Sequence, residues 1–100
     1  MEKLTDIVRE ETEQYAGPSL NATLQVVNDE ARQVYTVISI GKPPANEPAR
    51  AVVMARVTGD FVVIESDTTD KPLINALIQR GIPRKQIILA YQGESLPETI

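Results

Sequence analysis

The chain has no cysteine, no histidine and no tryptophan, and only four aromatic residues, one Phe and three Tyr, among its 100 positions. Without Cys there is no disulfide framework. Without Cys and His together, the usual zinc-ligand sets and the usual nucleophile-and-base pairs are excluded. Catalysis would rest on carboxylates, Lys, Ser or Tyr, each needing a strongly tuned environment, and no catalytic residue, metal ligand or cofactor site is assigned. No apolar run approaches the roughly 18 to 20 residues that cross a bilayer. The opening Met1-Glu2-Lys3-Leu4-Thr5-Asp6 is acidic where a signal peptide is basic and then apolar. The expected compartment is the cytoplasm, with no membrane partner. Basic charge is scarce as well: 10 Lys and Arg stand against 14 Asp and Glu, for a net charge of -4. Affinity for nucleic acid comes mostly from Lys and Arg on phosphates, so direct contact with DNA is not expected. The five Gly lie scattered at 17, 41, 59, 81 and 93 and form no phosphate-binding loop.

What is present is an ordinary globular composition, 42% hydrophobic and 24% charged, sufficient for a single domain over residues 1–100. Leu4, Ile7, Val8, Thr12 and Tyr15 recur at helical spacing among acidic neighbours, until Gly17-Pro18 ends the pattern. Leu20 to Val27 alternates as a half-buried strand, Asn28 to Arg32 supplies turn residues, and Val34 to Ile40 is β-branched, so the two strands form an antiparallel hairpin. The proline-rich Gly41 to Pro48 reads as an exposed connector. Arg50 to Val57 and Phe61 to Ser66 form a second hairpin around Gly59-Asp60, and a two-residue turn sets Val57 opposite Val62 and Ala55 opposite Ile64. Thr69 or Asp70 can cap a second helix carrying Leu73, Ile74, Leu77 and Ile78, which closes at Arg80-Gly81. Ile87 to Tyr91 is a final strand, and Gln92 to Ile100 is a tail expected to fray. The fold class is α+β: N-terminal helix, two antiparallel hairpins, second helix, final strand.

One side of the second hairpin is continuous and apolar. The other sets Arg50, Val52, Met54 and Arg56 against Phe61, Val63, Glu65 and Asp67, an apolar strip edged by charge. Two readings fit: the first helix covers this strip, or a second protein chain does. Arg50, Val52, Met54, Arg56, Phe61 and Val63 are therefore the candidate partner-binding residues, with Arg56 also placed for an ion pair with Glu65. A homo-oligomer through the strip or through an exposed strand edge fits the same features. Glu65, Asp67 and Asp70 crowd one stretch, and Glu65 and Asp67 point the same way if the strand reaches that far. They are the basis of the alternative reading, a carboxylate-based metal or small-ligand binder or enzyme. Arg80, Arg84 and Lys85 around Gly81 are the basis of a second alternative, weak direct DNA binding. A helix C-terminus favours such residues in any case, by about 0.3 to 1 kcal/mol each.

Two stretches resemble the XisI family, small excision controlling factors associated with the fdxN element of heterocyst-forming cyanobacteria. Residues 28–41, Asn-Asp-Glu-Ala-Arg-Gln-Val-Tyr-Thr-Val-Ile-Ser-Ile-Gly, are similar to the family's acidic hairpin turn, aromatic-bearing strand and closing Gly. Residues 77–91, Leu-Ile-Gln-Arg-Gly-Ile-Pro-Arg-Lys-Gln-Ile-Ile-Leu-Ala-Tyr, resemble its helix end, Gly-Ile-Pro turn and final strand. Lys42 departs from the Trp of many relatives, the connector is richer in Pro, and the tail after Tyr91 lacks their aromatic and basic residues. The resemblance spans residues 2–91. It implies a non-enzymatic accessory protein that acts with XisH, a nuclease-like partner, on a recombinase that removes a DNA element.

Overall fold

The computed structural model describes residues 3–43 and 47–97. Helix α1 spans Leu4–Glu13 and helix α2 Leu73–Gln79. The six strands are β1 (Gly17–Pro18), β2 (Ala22–Asp29), β3 (Val34–Gly41), β4 (Arg50–Thr58), β5 (Phe61–Asp67) and β6 (Ile87–Leu89). They form one sheet in chain order, β1 to β6. Each pair is antiparallel except the last, where α2 carries the chain over so that β6 runs parallel to β5. The proline-rich connector's residues 44–46 lie outside the described residues.

The second hairpin adopts the expected register: Val57 faces Val62 and Ala55 faces Ile64, because Gly59 takes a φ of 58° in the two-residue turn. Gly17-Pro18 ends the helical pattern as expected, but the dipeptide then pairs with Thr23 and Leu24 as β1. Strand β2 begins at Ala22 and not at Leu20, which is 92% exposed. The final strand stops at Leu89, and Ala90–Gln92 is a 3-10 turn, so Tyr91 leaves the ladder. Past Gln92, Glu94 turns back to β6, accepting from the Leu89 amide at 2.9 Å and donating its own amide to the Leu89 carbonyl at 3.1 Å. Residues 98–100 of that tail lie outside the described residues.

Both helices lie on one face of the sheet. Val8 of α1 and Leu73 and Leu77 of α2 are fully buried with Tyr35, Val37, Val53, Ala55, Val62 and Ile64. A ten-residue helix is marginal alone, and α1 holds because its apolar stripe lies on β3, β4 and α2. Buried Thr12 completes that stripe by donating its hydroxyl to the Val8 and Arg9 carbonyls, each at 2.9 Å. Arg80, just past α2, clamps the two helices, reaching Glu11 at 2.6 Å and Glu10 at 2.9 Å.

Candidate functional site

Neither helix covers the strip. In the register, Met54 lies across from Thr36, Arg56 from Val34 and Val63, and Phe61 from Thr58, while Val37, Val53, Ala55 and Ile64 alternate with them and point at the helices. The face opposite the helices therefore carries Met54, Arg56, Phe61 and Val63 together. Of the two readings, coverage by the first helix is set aside: Val8 joins the core on the other side of the sheet.

The face is wider than the second hairpin. Alternation in β3 adds Val34, Thr36, Ile38 and Ile40, and the ladders bring Val27 beside Thr36 and Ile88 beside Val63. Val63, Thr36 and Ile88 are shielded by their neighbours, while Ile40 is 42% and Val27 49% exposed. In the middle of this apolar face the Arg56 Nε donates to Glu65 Oε2 at 2.6 Å, the diagonal pair the sequence suggests, with both side chains about a third exposed. Partly exposed, such a pair contributes little to stability, about 0 to 1 kcal/mol. Its effect is directional, placing one polar fixture among aliphatic side chains.

Two β-bulges redistribute the remaining candidates. Between Val37 and Ile38 the β3–β4 register slips by one residue at Val52, so Ala51 pairs with Ile38 and Arg50 with Ser39. Strict alternation would keep Arg50 beside Met54; after the slip it stands on the helix-side face with Ser39. Val52 is the extra residue of the bulge and is half-buried. A second slip makes Glu65 the extra residue of β5, so Ser66 pairs with Met54 and Asp67 with Val53. Glu65 and Asp67 consequently point to opposite faces, and the expectation that they point the same way is corrected.

Asp67 has a structural occupation. Its Oδ1 accepts from the Thr69 amide at 3.0 Å and the Thr69 hydroxyl at 2.7 Å, and its Oδ2 accepts from the Leu73 amide at 2.7 Å. The carboxylate thus caps the first amide of α2 from six residues upstream, in place of Thr69 or Asp70, neither of which caps it. Asp70 is exposed. Among the described residues no three carboxylates gather as metal ligands would.

An open cleft of about 590 Å³ lies between the end of α1 and the start of α2, with Gln14, Tyr15, Asp70, Asn75 and Gln79 on its walls. The Tyr15 hydroxyl donates to the Lys71 carbonyl. Burial pushes this phenol above its ordinary value, opposed in part by Thr69, so it is a neutral donor at neutral pH and no activated nucleophile. The basic residues around Gly81 do not form a patch: Arg80 is turned to α1, and Arg84 reaches the Ile87 carbonyl at 2.7 Å and Glu94 Oε2 at 2.8 Å. The Leu89 amide and the Arg84 guanidinium hold the Glu94 carboxyl below its usual range. A carboxyl lowered on folding stabilises above its unfolded pKa and loses that contribution as pH falls through the lowered value. The Leu89 amide proton shift in an NMR titration will therefore move with a midpoint below the ordinary glutamate value of 4.5, and Glu94→Gln will abolish that transition.

Sequence reasoning found the β4–β5 half of the helix-free face and missed the β3 half, although Val34, Thr36, Ile38 and Ile40 alternate as plainly as Met54 and Arg56. Among the described residues no helix is long and apolar enough to cross a membrane. The family model described as XisI protein matches residues 1–99. No curated protein matches the chain. Among solved structures, a XisI-like protein from Anabaena variabilis ATCC 29413 superposes with a TM-score of 0.79 at 22% identity, covering 89% of this chain and 84% of its own. The fdxN element excision controlling factor XisI from the same organism superposes with a TM-score of 0.64 at 18% identity, covering 88% of this chain and 85% of its own.

Proposed function

The chain belongs to the XisI family, and on that premise we propose that it is a non-enzymatic control factor for excision of a DNA element, acting in the cytoplasm by holding a XisH-like, nuclease-type protein. The observation that carries this reading is the helix-free sheet face. An α+β domain ordinarily buries one sheet face and solvates the other. Here the second face is also apolar, with Val27, Ile38, Ile40, Met54, Val63 and Phe61 around the Arg56–Glu65 pair. An apolar face whose Met54, Phe61 and Ile38 are partly exposed around closely packed Val63, and which holds a fixed Arg, has the composition of a protein interface. An acidic chain with a net charge of -4 is suited to binding a DNA-acting protein while being repelled by the duplex.

Co-expression with a XisH-type protein tests the reading. The parent chain will co-purify with it. Met54→Asp combined with Phe61→Asp will weaken the complex at least about 30-fold, the scale of a central interface residue, while the variant alone keeps its circular dichroism spectrum, because both positions lie outside the core under the helices. Undiminished binding by the folded double variant overturns the assignment of this face.

A further inference from the structure

The two edges of the sheet are treated oppositely. At the β6 edge every outward backbone group is satisfied within the chain: the Ile87 amide donates to the Arg84 carbonyl, the Ile87 carbonyl accepts from the Arg84 side chain, and Glu94 takes both the Leu89 amide and the Leu89 carbonyl. At the other edge, β1 is two residues long and shields β2 only at Thr23 and Leu24. Its Gly17 pairs with Leu24, and the Ala22 carbonyl accepts from Ser19, so the even-numbered residues of β2 turn their backbone groups away from β3. Beyond Leu24 those residues are Val26 and Asn28, and among the described residues nothing pairs with their outward amides and carbonyls.

The usual safeguards of an edge strand are missing there. Gln25-Val26-Val27-Asn28-Asp29 contains no Lys, no Pro and no bulge. Its one charge, Asp29, is bound locally by Arg32 at 2.8 Å. Val26 is 40% and Val27 49% exposed, one on each face.

We propose that this edge pairs with the same edge of a second copy, β2 antiparallel to β2, about a two-fold axis through Val27. The register is self-complementary. With Val27 opposite Val27 of the second copy, Val26 falls opposite Asn28 of that copy, and both carry outward groups, so every bare amide meets a bare carbonyl. Gln25 falls opposite Asp29 of the second copy. The pairing has the length the fold allows: it is bounded by β1 at Leu24 and by the hairpin turn after Asp29, at equal distances from Val27. A two-fold axis normal to the sheet joins the helix-free faces of the copies into one surface and buries the exposed Val27 side chains against each other. This inference stands on the edge geometry and does not depend on the excision reading.

Sedimentation equilibrium of the full chain up to about 0.5 mM tests it, a range set by the small interface that a five-residue pairing makes. The parent will be in monomer–dimer equilibrium. Val26→Pro removes an outward amide and no bond to β3, a place where an edge strand tolerates Pro; it will weaken the dimer at least tenfold. Val27→Cys supplies an independent reading, since paired Val27 Cα atoms would lie about 4.5 Å apart, within disulfide range. In a chain with no other cysteine, it will form disulfide dimers at least tenfold faster than Ile78→Cys on exposed α2. A parent that stays monomeric throughout, a dimer indifferent to Val26→Pro, or Val27→Cys that oxidises no faster than the control overturns the proposal. The first outcome would leave the edge to a strand of another protein, and the second would move self-association to the sheet face.

Discussion

Tyr35→Ala will destabilise the domain by about 3 to 5 kcal/mol, the range for emptying a large aromatic site, while Tyr35→Phe will lie within about 1 kcal/mol of the parent. Tyr35 is the largest fully buried side chain, on the helix side of β3. Its ring stands across from Ala55, whose methyl leaves the space the ring fills, and from Asn28. Deleting the ring leaves a void between two strands and α1, which a paired sheet cannot close by shifting one element. The hydroxyl donates to Glu30 at only 3.3 Å, at the rim, so its loss is minor by comparison. Burial, reinforced by Glu30, holds the phenol above its ordinary value. A domain of this length has a total stability of about 5 to 15 kcal/mol, so the Ala variant will lose from about a fifth of it to all of it. Urea unfolding followed by circular dichroism measures the loss; a midpoint shift no larger for Ala than for Phe would refute this account of the core.

Asp67→Ala will cost about 2 to 3 kcal/mol, less than the Tyr35 void but more than its partly exposed position suggests. One carboxylate accepts from the Thr69 amide, the Thr69 hydroxyl and the Leu73 amide. Bonds to a charged acceptor contribute about 1.5 to 3 kcal/mol where they leave a donor without a partner when lost. The Leu73 amide is the sensitive one, because it starts α2 and the Leu73 side chain is fully buried. Asp67→Asn keeps one acceptor oxygen and will lose roughly half as much. At about 4 to 8 °C per kcal/mol for a domain of this size, Ala will lower the melting temperature by about 10 °C or more. Millimolar Mg²⁺ will not raise the melting temperature of the parent, since Asp67 is turned to α2 and Glu65 to Arg56. A Mg²⁺-dependent rise that Asp67→Asn removes would restore the metal reading.

Much of this architecture was legible in local chemistry. Gly59-Asp60 between two β-branched runs set the β4–β5 register, and the apolar spacing of Leu73, Ile74 and Leu77 set α2. The Gly-Ile-Pro turn marked where the last strand begins. The bulges were not legible. Val52 and Glu65 are ordinary strand residues, and whether one of them is the extra residue depends on its partner strand; period-two counting therefore placed Arg50 with Met54 and Asp67 with Glu65. The direction of β6 was hidden for a related reason, since Ile87–Leu89 is apolar on both sides and pairs equally well either way until α2 sets the crossover. The cap on α2 came from a residue six positions away, beyond any local capping signal. The choice of face for α1 was also a tertiary matter, because both faces of the sheet are apolar around Met54 and Val53.

Strand order that follows chain order at every step has a consequence for biogenesis. From β1 to β5 each newly emerged strand finds its neighbour already in place, so that part of the sheet can be laid down one hairpin at a time, with little loop closure to wait for. The first helix is the exception. It emerges before anything it covers, and its apolar stripe stays open to solvent until β3 and β4 have left the tunnel. That interval is when a nascent chain of this protein would most need a chaperone.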